Sequence, residues 1–198
     1  GFPRESSVAV TIGGVRINFR MPDVMSIGLG GGSIVRVRED GRVTVGPDSV
    51  GYELEHKALV FGGDVMTATD IAVRLGMVSI GDAGKVADIP QETAKLALEE
   101  IRRITEDAID AIKVSNEDCE VILVGGGSVI LPPNLSGASK TIKPDHFGCA
   151  NAIGSAISKV SGTYEKLVNY DDIPREEALE TAKQAVIQLA VDAGVVRE

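Results

Sequence analysis

Twice in this chain an apolar run leads straight into glycines that end on a serine. Residues 23–37 read DVMSIGLGGGSIVRV, with four glycines in five positions (Gly28, Gly30, Gly31 and Gly32) before Ser33. Residues 120–131 read EVILVGGGSVIL, where Gly125, Gly126, Gly127 and Ser128 repeat the pattern about a hundred residues later. Glycine lacks a Cβ, so a ligand can come close to its backbone N–H groups, and left-handed dihedrals cost it little. Successive N–H groups in such a corner form a concavity that suits an anion. One corner reads equally well as a phosphate cradle or as a tight turn packed on a neighbouring strand. Two of them point to loops that face a common ligand. Neither is a Walker A loop, since no Gly-Lys-Ser/Thr follows, and neither gives G-x-G-x-x-G with a helix directly behind.

Composition narrows the partners. With 198 residues the chain has length for one substantial domain or two small ones, and we read it as a single α/β domain over 1–198. The net charge is −9 and no cluster of Lys and Arg is present, which argues against nucleic acid, whose phosphates must be neutralised. No apolar run reaches the roughly 18 residues of a membrane span, and no signal peptide is expected before Phe2. Cys119 and Cys149 imply no disulfide framework, so a reducing, cytoplasmic location is expected. The chain opens on Gly-Phe-Pro rather than Met and is expected to be a piece of a longer protein.

The order of elements follows from periodicity and punctuation. Residues 7–12 and 15–20 are β-rich runs joined by Gly13-Gly14, a hairpin signal. Residues 33–37 and 42–45 form a second hairpin turning at 39–41, and 46–48 (Gly-Pro-Asp) read as a turn. Thr67 precedes Asp70 by three, like a capping box with Asp in place of Glu. A helix over 68–75 would then end at Gly76. Pro90 suits the first turn of a long helix. Ala94, Ala97, Leu98, Ile101, Ile104, Ala108, Ile109 and Ile112 give it one apolar stripe. Its charged opposite face reads as solvated surface. Pro132-Pro133 stops the second glycine strand, and the segment from there to Lys143 reads as loop. A helix is expected over 144–160, a short strand over 166–169 and a final helix after Pro174. Strand pairs first, then helices alternating with strands, indicate a mixed sheet with helices on its faces, class α/β.

The segments DVMSIGLGGGSIV, VGPDSVGYELEHKALVFGGD with TATDIAVRLG, VILVGGGSVILP and PDHFGCANAIGSAISKVSG together resemble, in this order, the A-type subunits of the hydantoinase/oxoprolinase family. That family includes N-methylhydantoinase and 5-oxoprolinase, and acetone carboxylase subunits are relatives. The resemblance implies an actin/Hsp70/sugar-kinase-like ATPase fold, in which two RNase H-like halves close on a nucleotide, here in truncated form. Gly30, Gly31, Gly32 and Ser33 match that fold's second phosphate loop. Gly125, Gly126, Gly127 and Ser128 match its adenosine loop, and 150–155 resembles the hinge helix. The family's other phosphate loop, of the Asp-x-Gly-Gly-Thr type, is nowhere in this sequence. Many members also carry Pro-Gly-Pro-Ala-Cys-Tyr where this chain has VGPDSVGYELEHKAL, so no cysteine-centred role is expected there.

The activity implied is ATP-driven opening of a cyclic amide, a hydantoin or 5-oxoproline type ring, through phosphorylation of the amide oxygen. ATP and Mg²⁺ are the implied cofactors. A cyclic amide or imide is the implied substrate, and a B-type subunit or a homo- or hetero-oligomer the implied assembly. Asp64 and Asp70 are the carboxylates available for catalysis, with Asp64 as the metal ligand. Each of these has a plainer reading. Asp70 fits a helix cap, Asp64 a turn, and Ser33 and Ser128 can bond their own backbone. His146 fits a surface or capping position. The histidines and cysteines have no metal-ligand spacing, and no Gly-x-Ser-x-Gly elbow is present. Two other classes stay open, a non-catalytic nucleotide-binding or regulatory module and an interaction domain with purely structural glycine turns.

Overall fold

The computed structural model describes residues 10–12, 15–17, 22–160 and 162–195. The chain is mixed α/β. Its elements run β1 (Val10–Ile12), β2 (Val15–Ile17), β3 (Ser33–Val37), β4 (Val43–Ser49), α1 (Leu54–Lys57), α2 (Ala68–Arg74), α3 (Gln91–Ile112), β5 (Cys119–Ile122), β6 (Ala138–Ile142), α4 (Ala150–Ile157) and α5 (Arg175–Asp192). Instead of one mixed sheet, the described strands form three two-stranded ladders: β1 with β2 and β3 with β4, both antiparallel, and β5 with β6, parallel. Two compact units divide the chain, Gly1–Ala150 and Asn151–Glu198.

In the first unit, the core follows the sequence periods. The β3–β4 hairpin buries Val35 and Val45, α2 buries every residue from Ala68 to Val73, and α3 turns Ala94, Ala97 and Ile101 inward. Val60, Val86 and Ile130 complete the same cluster from short 3₁₀ turns. Pro90 stands at the cap of α3 rather than inside it. The capping box of α2 is present, Thr67 and Asp70 bonding reciprocally, and Gly76 takes φ +71 just past its end.

Several expectations give way. Gly46-Pro47-Asp48 lies inside β4 rather than in a turn, and the register slips there, since Ser33 pairs with Ser49 but Val35 with Val45. A Cβ on Gly46 would run into the carbonyl oxygen of Gly28, and one on Gly28 would come within 2.7 Å of Pro47 Cβ. This irregular stretch of β4 is therefore the wall on which the first glycine segment rests. Residues 23–27 form no strand, and Val24, Met25 and Ile27 are exposed. The expected loop before Lys143 contains β6, whose polar Ala-Ser-Lys-Thr-Ile run shows no apolar alternation and is held by its ladder to β5. The helix expected over 144–160 is shortened to α4, because His146 takes a left-handed φ of 60 that a helix cannot continue through. The Gly13-Gly14 turn lies outside the described residues.

The second unit holds most of α4 together with α5, which begins after Pro174 as its composition predicts. The strand expected over 166–169 is absent there, and no described residue of this unit is fully buried. Among the described residues, no helix is long and apolar enough to cross a membrane.

Candidate functional site

Ser33 shapes the first glycine corner from inside. It is 1% exposed. Its Oγ accepts the Gly30 N–H at 2.9 Å, and its own N–H returns to the Gly30 carbonyl at 3.0 Å. The next two carbonyls are also taken: Gly31 O by the N–H of Thr69 and by its hydroxyl, both at 3.0 Å, and Gly32 O by the N–H of Val50 at 3.0 Å. In a trans peptide the C=O and the following N–H point in opposite directions. Tying the carbonyls of Gly30 and Gly31 to the fold therefore turns the N–H groups of Gly31 and Gly32 the other way. Among the described residues neither N–H has a partner.

The second corner is built on the same plan. Gly125 takes φ +83, and its carbonyl accepts both the N–H of Ser128 at 3.1 Å and its hydroxyl at 2.8 Å. A 3₁₀ turn, Gly126–Ile130, follows. The N–H groups of Gly126 and Gly127 open this turn and have no partner among the described residues, as the first donors of any helical turn must seek one elsewhere. Both serines thus bond their own backbone. They form the corners, and the groups left for a ligand are glycine amides.

Which glycines the fold itself requires is informative. Gly31 and Gly32 are needed for packing, since a Cβ on either would meet Thr69 Oγ1 or Ser49 Oγ at 2.8 Å. Gly30, Gly126 and Gly127 have neither a left-handed φ nor any neighbour within 4 Å of an added Cβ. Nothing within the described chain demands glycine there, so the space is open to something else.

One cleft of about 280 Å³ touches both stretches. Ile27 and Leu29, on the run entering the first corner, share its wall with Gly127 and Ser128 of the second, and Thr105 of α3 and Ile130 close it. Its lining carries no ionisable side chain.

The two predicted carboxylates are placed apart from this cleft. Asp70 is fully buried, and its oxygens accept four bonds: Val60 N–H at 2.7 Å, Leu59 N–H at 3.3 Å, Thr67 N–H at 2.7 Å and Thr67 Oγ1 at 2.8 Å. These four donors and its full burial favour a structural role for Asp70 over the catalytic one expected from the sequence. Asp64 sits exposed on its turn, and no group of three His, Cys, Asp or Glu able to hold a metal exists among the described residues. His146 and Cys149 are exposed. Residues 146–149 nevertheless adjoin the second corner, because Phe147 O accepts the Gly125 N–H. Sequence reasoning missed Thr69, Val50 and Phe147, each of which reaches a glycine corner only through the tertiary fold.

The hydantoinase/oxoprolinase family model matches residues 4–118. Among curated proteins none matches the chain. Among solved structures, a nucleotide-free structure of acetone carboxylase, determined in work on the mechanism of ATP-dependent acetone carboxylation, superposes with a TM-score of 0.63 at 16% identity. The match covers 92% of this chain but only 31% of that one, so the present chain spans about a third of the length of that relative. At this identity the likeness is one of fold.

Proposed function

Because this chain belongs to the hydantoinase/oxoprolinase family, we propose that it is part of an ATP-dependent enzyme that opens a hydantoin or 5-oxoproline type ring. The observation that carries the nucleotide reading is the shared plan of the two corners. In each, polar groups of the chain take the carbonyls, and two consecutive glycine N–H groups remain unpartnered. Such paired donors suit phosphate or ribose oxygens and cost no reorganisation when an anion arrives. The ATP-dependent acetone carboxylation of acetone carboxylase, which has this fold, supports the same cofactor.

Bound ATP would supply the phosphoryl group for the ring carbonyl oxygen, leaving ADP; water adding to that carbon would then expel the ring nitrogen as a protonated amine, and a second water would hydrolyse the resulting acyl phosphate to carboxylate and inorganic phosphate. This chain's part is to position and to neutralise charge. Gly31 and Gly32 would hold phosphate oxygens, and Gly126 and Gly127 the nucleoside side. The apolar wall formed by Leu29, Ile130 and Leu131 would keep water from the space between. Asp70 is taken up by four donors of the fold, which leaves Asp64, exposed on its turn, as the carboxylate that would meet a Mg²⁺ carried mainly by the phosphates.

The lack of an ionisable side chain on the cleft favours a second reading, nucleotide binding without turnover, as in a regulatory module. The full-length protein, assayed for ATP hydrolysis with and without 5-oxoproline or a hydantoin, separates the two. Substrate-stimulated hydrolysis is the expected result. ATP binding without stimulation would favour the regulatory module, and no ATP binding would overturn both. We further propose a cytoplasmic location, in keeping with two free cysteines, and association with a B-type subunit or with further copies of the protein.

A further inference from the structure

Gly31 is held by a side chain 38 positions further along, and we infer that this residue, Thr69, is a positioning residue for the phosphate groups of the nucleotide. The inference rests on the nucleotide-binding reading above.

Thr69 is 3% exposed and lies in the first turn of α2. A threonine in that position ordinarily bonds its own helix or its cap. Here its N–H and its hydroxyl both donate to one oxygen, the Gly31 carbonyl, each at 3.0 Å. A carbonyl oxygen has two lone pairs, so both are engaged and the Gly31–Gly32 peptide plane is fixed in rotation as well as in place. The Gly32 N–H, at the opposite edge of that plane, is thereby aimed away from α2. Contact is direct, since no Cβ fits on Gly31 beside Thr69 Oγ1.

Thr69 cannot drift, because its neighbours are clamped. Thr67 and Asp70 cap α2 reciprocally, and the Asp70 carboxylate also holds the N–H groups of Leu59 and Val60. Valine would fill the same space as threonine. What the hydroxyl adds is the second bond to Gly31, which does nothing for the core and orients the corner.

The test is calorimetric titration of the full-length protein with ATP, in wild type, Thr69→Val and Thr69→Ser, with melting of each nucleotide-free protein alongside. Thr69→Val should weaken ATP about tenfold, the cost of one misdirected hydrogen bond. Thr69→Ser, which keeps the hydroxyl, should stay within about twofold, and both variants should melt within a few degrees of wild type without nucleotide, by similar amounts. The inference is overturned if Thr69→Val binds ATP like wild type. It is also overturned if Thr69→Ser fails to rescue, or if the loss of affinity only follows a loss of thermal stability. Wild type that binds no ATP would sink the nucleotide reading itself, and this inference with it.

Discussion

The carbonyl oxygen of Phe147 accepts the N–H of Gly125 at 2.7 Å. That bond ties the second glycine corner to the loop before α4. It is aimed by His146, the one non-glycine with positive φ among the described residues, at φ 60 and ψ 22. Lys143 Nζ lies 4.1 Å from the centre of the Phe147 ring and steadies the same loop. A β-carbon in the left-handed region costs on the order of 1–2 kcal/mol. His146→Gly should therefore raise stability by up to about 1 kcal/mol, whereas His146→Val should lower it by about 1–2 kcal/mol and loosen Gly125. Thermal melting of the two variants checks the sign.

Glycines with different neighbours should respond differently to alanine. Gly126→Ala and Gly127→Ala put a methyl group into open space, so stability should stay within about 0.5 kcal/mol of wild type. If those positions are kept small for a nucleotide, ATP affinity should fall by about tenfold or more. Gly46→Ala is the converse control. Its φ of +64 and the Gly28 carbonyl oxygen beside it leave no room for a methyl group, and it should cost about 2 kcal/mol or more. Parallel melting and ATP titration separate the two classes.

Asp70 should behave as a structural carboxylate. Replacing it with Asn exchanges one acceptor oxygen for an NH₂ group that faces N–H and O–H donors at 2.7–3.3 Å. The cost should be about 3 kcal/mol, read as a lower midpoint in urea, while the folded fraction retains ATP binding. Loss of hydrolysis in a variant that remains as stable as wild type would contradict this and restore Asp70 to the chemistry.

The pair on the solvent face of α3 supplies a small pH dependence. The Arg103 guanidinium, 2.8 Å from Glu100, holds the Glu100 carboxyl below its ordinary value of 4.5. A depressed carboxylate stabilises the fold above its unfolded pKa, and that contribution is lost as pH falls through the folded value. Arg103 is 60% exposed although Glu100 is only 24% exposed, so solvent screens the pair and the effect should be under about 1 kcal/mol. Glu100→Gln should remove it, narrowing the stability difference between pH 7 and pH 3 by that amount.

Local patterns carried much of the fold into view. The spacing of Thr67 and Asp70 announced a capping box, the stripe through Ala94, Ala97 and Ile101 announced the buried face of α3, and Pro174 marked the start of α5. These are interactions within a few residues of one another, and periodicity reports them directly. The polar strand β6 escaped notice because its pairing with β5, not its own side chains, holds it in place. Residues 144–149 looked helical because nothing in their composition reveals a left-handed His146.

At the candidate site the division is the same. By itself the sequence determined that two glycine corners each end on a serine, and that choice of residues is what permits an anion-facing backbone. Only the tertiary structure decided which amides stay open. Thr69, Val50 and Phe147 reach the corners from distant parts of the chain and bind particular backbone groups. It also decided that Asp70 is spent within the fold, since a buried carboxylate must find donors and here four surround it. Hydrogen-bond satisfaction is settled by whatever folding brings near, and sequence spacing cannot report it.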